Sequence, residues 1–580
     1  MLIKRQKRRG TAGRRAVGAV IALCLIPSAG WGQRVLGPFT DATVLPRGVL
    51  RVGIEPTWWH ATHRFSGGLA GRPEGSREPL GADFDRDSIT PAMFEPLRAV
   101  AGTLAAITGN NALPLTLGRL QVDFDASAVH TPITFEYGVS RRLTLGVMVP
   151  YISTRNEVYA NPNPSRTGGT MGVNPALTFA GARAQNAGVV SQLAAAATAL
   201  RGQLAACAGS SDPACAAINA DRAGAEQLAG SAEAVAQGIA SVYGTQAGEG
   251  SRFSPVAGSP VQLAVAGRLA ALATSFGGYL GSPTAGTSWI DARPVGAAPL
   301  ALGDFQTIVA DETFGIAALP FSTVEIKKIG DVELGAKLLL LDSFGGAVPQ
   351  RIDPAGVKYR LSLGGVYRMG TGQLESADDL NDIGTGDAQN DIEGSLFADL
   401  LFGSRVWVSA VARYGVQQAD VQPRRIPSAP GEPFPSLYRR HTVTRDLGDY
   451  IAAEVTPRYA VTDALLVSAS YRYYSKPEDA HSGTFQGQDL EGNDVTIDAS
   501  LLDAGTARTE QRLLGALTYS TMAAYYRGGA SIPLEVSYTL GRTTAGSGNV
   551  PQSITHAIAL RVYARLFGGA ESRPARPRSR

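Results

Sequence analysis

Residues 457–474 read PRYAVTDALLVSASYRYY, and two other stretches repeat the pattern: FEYGVSRRLTLGVMVPY at 135–151 and DLLFGSRVWVSAVARY at 399–414. Each holds an apolar or aromatic residue, a very short polar turn and an alternating run that ends on Tyr. In 465–474, Leu465, Val467, Ala469, Tyr471 and Tyr473 share one face, and Leu466, Ser468, Ser470, Arg472 and Tyr474 the other. That period of two marks a strand. IPLEVSYTLG opposes Ile532, Leu534, Val536, Tyr538 and Leu540 to Pro533, Glu535, Ser537 and Thr539. KYRLSLGGVYRM opposes Tyr359, Leu361, Leu363 and Tyr367 to Lys358, Arg360, Ser362 and Arg368.

A soluble sandwich alternates as well, so the connections must decide. About twelve strands are expected, near 48–60, 119–138, 142–154, 329–341, 357–370, 392–402, 405–417, 449–460, 464–475, 508–525, 532–542 and 553–567. The gaps between them alternate in length. Short ones fall at Ser140–Arg141, Gly403–Ser404, Thr462–Asp463 and Arg527–Ala530, with a moderate one near 343–356. Long ones fall at 61–118, 155–328, 371–391, 418–448, 476–507 and 543–552. An even strand count, short turns at one end and long loops at the other predict an all-β transmembrane fold. The expected form is an antiparallel outer-membrane β-barrel of about twelve strands with a helical loop insertion and both termini in the periplasm. No apolar run beyond the N-terminal one is long enough for a spanning helix, so a membrane crossing has to be a closed barrel. Tyr137, Tyr151, Tyr414, Tyr459, Tyr471, Tyr473, Tyr525 and Tyr563 are placed near strand ends, as in an aromatic girdle.

The first 32 residues read as a cleaved export signal: a basic MLIKRQKRRGTAGRR, an apolar AVGAVIALCLIP, then small residues. The chain then divides into first strands with a helical loop (33–154), an insertion (155–328), the remaining strands (329–567) and a disordered basic tail (568–580). The insertion turns rich in Ala, Gly and Gln, with Leu and Val at helical spacing. Cys207 and Cys215 flank the turn between two helical stretches, which predicts a disulfide-clamped hairpin on an exported chain. A further helix is expected in PAMFEPLRAVAGTLAAI (91–107).

The net charge of +3 on 580 residues argues against a nucleic-acid partner. G-x-S-x-G, H-E-x-x-H, C-x-x-C and a G-K pair are all missing, so no enzyme, cofactor or metal site is expected. The six histidines, 60, 63, 130, 441, 481 and 556, are scattered, and His556 is the one most open to a His–Ser couple on a barrel wall. DDLNDIGTGDAQNDIEG (378–394) is rich in carboxylates, but Ile383 stands where a calcium loop needs Asp or Asn, so it reads as a solvated surface loop.

The polar face carries both signs. Arg51, Glu55, Glu136, Glu333, Lys337, Arg360, Arg368, Arg413, Glu454, Arg472, Arg512 and Glu535, with Glu393 and Arg561, are the candidate lumen-lining residues. They are expected to pair across a narrow interior. Mixed signs argue against a strongly ion-selective pore.

With the hairpins in place, the chain resembles the phenol-degradation meta-pathway channel family, related in architecture to long-chain fatty-acid transporters. FEYGVSRRLTLGVMVPY, IGDVELGAKLLLL (329–341), IGTGDAQNDIEGSLFADL (383–400) and PRYAVTDALLVSASYRYY carry the likeness. It implies an outer-membrane channel for passive uptake of small hydrophobic or aromatic molecules. Outer-membrane lipid and a small-molecule substrate would be its partners. Two other readings remain open: a surface protein whose insertion binds a partner or adhesive target while the barrel anchors it, and an outer-membrane lipid hydrolase using His556.

Overall fold

The computed structural model describes residues 40–566, apart from 70, 166–167, 285, 344–356 and 491. The export signal, the basic tail, Phe567 and most of the turn at 343–356 lie outside the described residues.

Twelve antiparallel strands close into a barrel. We number them β1 (Val49–Ile54 and, beyond a break at Pro56, Thr57–Ala61), β2 (Leu120–Gly138), β3 (Leu143–Pro162) and β4 (Val324–Ile329 and Val332–Asp342). β5 is Val357–Met369, β6 Asp391–Phe402, β7 Val406–Gln417 and β8 Tyr450–Ala460. β9 is Leu465–Lys476, β10 Arg508–Ser520, β11 Leu534–Ser547 and β12 Ile554–Arg565. Each pairs with the next, and β12 returns to β1 from Val49↔Arg565 to His60↔Ile554, so the sheet has no free seam. β3 runs eight residues further than its apolar pattern, and β10 stops at Ser520, where Met522–Tyr526 forms a short helix instead of strand.

Period two sorts the side chains by face. Leu338, Leu363, Leu396, Val455, Val467, Leu517, Val536 and Ile558 point outward and stay 39–50% exposed. A belt of apolar side chains that the fold leaves uncovered is a surface for lipid. Tyr151, Tyr414, Tyr459 and Tyr471 join this outer face. Tyr563 does not: it lies on the inner face and its hydroxyl donates to Glu535 Oε2 at 2.7 Å, because it is one residue out of phase with Val562.

The hairpins at one end are tight. Gly403, at φ 60°, makes the β6–β7 turn in a conformation that a β-carbon disfavours. At the other end the long loops fold over the mouth. The insertion carries α2 (Ala180–Ala206), α3 (Arg222–Tyr243), α4 (Pro260–Leu280) and α5 (Leu302–Ala310), and the first loop carries α1 (Ala101–Thr108). α1 is shorter than the 91–107 pattern, since Pro96 supports only a 3₁₀ turn before it. Leu193, Leu200, Val235, Ile239, Val265, Leu269 and Phe276 form one apolar core with Leu120 and Val122 of β2 and Phe434 of the β7–β8 loop. The Cys207–Cys215 disulfide closes the α2–α3 hairpin, with Cα atoms 5.4 Å apart. Buried ion pairs lock the loops too. Arg64 bonds Glu78 at 2.7 Å and Asp83 at 2.6 Å. Burial opposes ionisation of Asp83, but Arg64 outweighs it and holds the carboxyl below its ordinary range.

Candidate functional site: the inner face of the barrel

All twelve candidate lumen residues fall in the inward phase of the barrel, and the inner face has two unlike walls. The first wall runs from β4 to β7 and is dry. Lys337, Ser362 and Asp399 show no exposure, and Glu393 only 1%. Its charges pair closely. Arg368 bonds Glu333 at 2.9 Å and Asp391 at 3.0 Å, and Arg413 bonds Glu393 at 2.9 Å. Tyr450 of β8 donates its hydroxyl to the same Glu393 at 2.7 Å. Arg360 lies 3.6 Å from Asp342 and 3.9 Å from Asp399. Arg51 and Glu136, on β1 and β2, approach to 2.5 Å.

These pairs link neighbouring strands along the wall rather than reaching across the interior, which corrects the expected pairing. The cross-strand spacing of about 5 Å brings adjacent inward side chains together with no need to span a lumen.

What crosses the interior is backbone. Residues 40–48 enter at the tight-turn end and lie against the first wall. Lys337 Nζ donates to the Asp41 carbonyl at 2.9 Å, and Ser362 Oγ to the Ala42 carbonyl at 2.7 Å. Ala42 packs on Phe397 and Val411. Leu45 N–H donates to Thr144 Oγ1 at 2.8 Å, and Gly48 N–H to the Gly138 carbonyl at 2.8 Å. Gly138 is required there: a Cβ would stand 2.1 Å from the Pro46 carbonyl oxygen.

A second insertion comes from the other end. The carboxylate-rich β5–β6 loop is not solvated, contrary to its composition. Ile383 packs on Trp59, Ala61, Ala126 and Ala128, inward residues of β1 and β2. Asn381 accepts at its carbonyl from Asn156 Nδ2 of β3 at 2.9 Å. Asp331, at the bend of β4, accepts backbone N–H groups of Gly372 at 2.8 Å and Asp387 at 3.2 Å. Polar side chains serve as backbone acceptors, which lets an acidic loop bury itself.

The second wall runs from β9 to β12 and stays open. Arg472 is 26% exposed and Arg561 33%, with Glu55 at 35% beside it, 3.7 Å away. Between the levels of Arg512 and Arg561 the inward residues are mostly small, Ser468, Ser470, Ala516, Thr518, Ser537, Thr539, Ala557 and Ala559, with Leu466 and Leu514 as the large ones among them. Ser468, Ser470, Ala516, Thr518, Ser537 and Thr539 all keep partial exposure, so a solvent-accessible space runs beside them. Glu454 pairs with Arg472 at 2.7 Å, Arg512 stands 3.7 Å from Glu510, and Glu535 accepts from Tyr563.

Sequence reading missed Asp391, Asp399, Arg458, Arg508 and Glu510 on this inner face. Each shares the phase of a neighbour that was found, so the alternation itself held the signal. Asp41, 3.8 Å from Arg458, had none, because it belongs to no strand.

His556 lies on the outer face, where its Nδ1 is 2.8 Å from the Tyr538 hydroxyl. The group beside it is a phenol, not a serine.

No family model and no curated protein matches the chain. Similar solved structures are outer-membrane barrels. A COG4313 outer membrane channel from Pseudomonas putida F1 has 8% identity and a TM-score of 0.36, covering 90% of this chain and 98% of that one. A Pseudomonas aeruginosa FadL homologue has 10% identity and a TM-score of 0.25, covering 94% and 100%. The transport unit of the autotransporter AIDA-I from Escherichia coli has 6% identity and a TM-score of 0.28, covering 88% and 89%. At such values the barrel rests on its own strand pairing.

Proposed function

We propose that the protein is an outer-membrane channel that passively admits small molecules, with the long loops and α-helical insertion facing the cell exterior and the tight turns the periplasm. The observation that carries this reading is the open wall of β9–β12: a strip mostly of Ser, Thr and Ala, with Leu466 and Leu514 among them, along the inside of a barrel whose opposite wall is filled. A barrel that only anchored a surface domain would have no use for such a passage, since filling it would add apolar contact and stability. Small hydroxyl and methyl groups line a path smooth enough for a solute without holding it. The inward chain at 40–48 and the β5–β6 loop narrow that path to one side. The substrate class that the resemblance implies, small hydrophobic or aromatic compounds, fits a passage of this mild polarity.

The test is conductance in planar bilayers. Purified protein should give discrete channel openings, and Ala516→Trp with Thr539→Trp, which fill the strip, should abolish them without loss of the folded barrel. Openings that survive this filling would mean that the passage lies elsewhere, and silence of the parent protein would remove the channel reading.

A further inference from the structure

The upper part of the open wall breaks a rule that the rest of the barrel keeps. Directly opposed inward residues on β9 and β10 are Lys476↔Arg508, Tyr474↔Glu510 and Arg472↔Arg512. Two of these three rungs set cation against cation. Like charges directly opposite on one sheet face are destabilising. Elsewhere the inner face avoids this, as in Glu333↔Arg368 and Glu454↔Arg472.

The local carboxylates do not balance the cluster. Asp479 pairs with Lys476, and Glu454 with Arg472. Glu510 alone serves both Arg508, at 3.1 Å, and Arg512, at 3.7 Å. Four cations therefore share three carboxylates, and one positive charge is left over. The guanidinium groups are underused as donors as well. The Nε–H of Arg508 and of Arg512 are each buried without an acceptor among the described residues. Arg512 turns one Nη toward Thr555 Oγ1 of β12 at 3.1 Å, and the Arg508 guanidinium rests 5.8 Å from the Tyr474 ring centre. Both side chains still reach accessible space, at 16% and 12% exposure. A buried N–H donor with no acceptor is costly, and so is an unbalanced charge away from bulk water.

We propose that Arg508 and Arg512 form a seat for the carboxylate of a small organic monoanion passing through the barrel. This inference rests on the channel reading and names the chemistry that the passage prefers. The arginine fork matches a carboxylate in geometry, and one negative charge cancels the surplus, whereas a dianion would overshoot it. Tyr474, whose ring packs against both Arg508 and Tyr450, adds an aromatic edge at the same level, and Leu514 stands one rung below Arg512 on the inner face, apolar surface for the body of the solute. Below the seat comes the neutral strip. Arg561 then stands six residues from Thr555 along β12, a drop of about 20 Å at 3.4 Å per residue. Two cationic stations further apart than the screening length act independently. Capture at one and release towards the next is how a charged solute enters a pore without being trapped.

The experiment uses the full-length protein in planar bilayers. Reversal potentials are measured in a KCl gradient, then with benzoate or inorganic phosphate as the main anion, and benzyl alcohol serves as a neutral competitor. The parent channel should prefer anions, carry benzoate better than phosphate, and lose chloride current to benzoate but not to benzyl alcohol. Arg508→Gln and Arg512→Gln should each lower the anion-to-cation permeability ratio by roughly tenfold, about one charge-assisted hydrogen bond. Arg155→Gln, on the outer face, should leave it unchanged. A parent channel that conducts but prefers cations, or that treats benzoate and benzyl alcohol alike, overturns the seat while leaving the channel intact. So does an unchanged ratio in whichever of the two variants folds. Absence of any conductance in the parent overturns the channel reading itself.

Discussion

Arg413 and Arg472 both point into the barrel, and both bond a glutamate of the next strand at under 3 Å, yet Arg413 is 5% exposed and Arg472 26%. The difference lies in what faces them. Over Arg413 lies Phe397, which also packs against the chain at 40–48, and Tyr450 takes the second oxygen of its partner Glu393. Beside Arg472 the wall continues into serine, threonine and alanine, with Leu514 and Leu466 between them. One motif thus does two jobs. Where its partners are sealed from water it fixes the wall, and where water reaches it the same pair is a polar edge to the accessible space beside β9–β12.

That contrast can be broken most sharply at Glu393. Glu393→Ala removes a carboxylate that Arg413 and Tyr450 both bond inside the sealed wall, which should cost about 3–5 kcal/mol. Glu454→Ala, at the watered Arg472, should cost about 1–2 kcal/mol. Urea unfolding midpoints in phospholipid vesicles measure both, and equal losses would erase the distinction between the walls. The next test asks whether the filling of the dry side is held in place by shape. Gly138→Val drives a Cβ into the carbonyls of Pro46 and Leu45, 2.1 and 2.6 Å away, and should cost about 1–3 kcal/mol. If residues 40–48 obstruct the passage, displacing them should also raise single-channel conductance, and an unaltered conductance would show that they do not.

A third change sharpens the comparison by leaving both walls alone. Replacing Cys207 and Cys215 by Ser opens a cross-link spanning eight residues and should cost the α2–α3 hairpin about 2–3 kcal/mol. Faster proteolysis near 207–215 with an unmoved barrel midpoint is the expected result. The smallest effect concerns the outer loops. Burial pulls His481 below its ordinary 6.5 despite the nearby Asp503, so the folded ring stays neutral where the unfolded one gains a proton. Its contribution is therefore complete above about pH 6.5 and shrinks as pH falls, by under about 1 kcal/mol. Hydrogen exchange at 480–482 should quicken on acidification. Slower exchange would mean that the Asp503 pairing dominates.

Much of this architecture was readable beforehand, for a specific reason. A strand with lipid on one side and water on the other must alternate, so Leu465 to Tyr474 announced their faces without any partner in view. The disulfide hairpin was equally legible, because Cys207 and Cys215 stand so close on a chain whose first residues read as an export signal. The inward chain segments were not. Ile383 is one apolar residue among carboxylates, and only the three-dimensional pocket of Trp59, Ala126 and Ala128 explains its burial. Asp331 hides the same way, since a carboxylate that accepts backbone N–H groups looks in sequence like one that meets water. Tyr563 misled because nearness to a strand end was read as girdle, when its phase already pointed inward. The rungs at Arg508 and Arg512 were hidden for another reason. Which strand opposes which residue, and in what register, is a tertiary fact.

The seam between β12 and β1 joins a plain edge to an anchored one. β1 runs straight out of residues 40–48, which are stitched to β4, β5 and β6 inside the tube. The strand that closes the hoop from Val49 to His60 is thus moored at its foot to staves several places round the ring, so a slip in its register would strain the mooring as well as the seam.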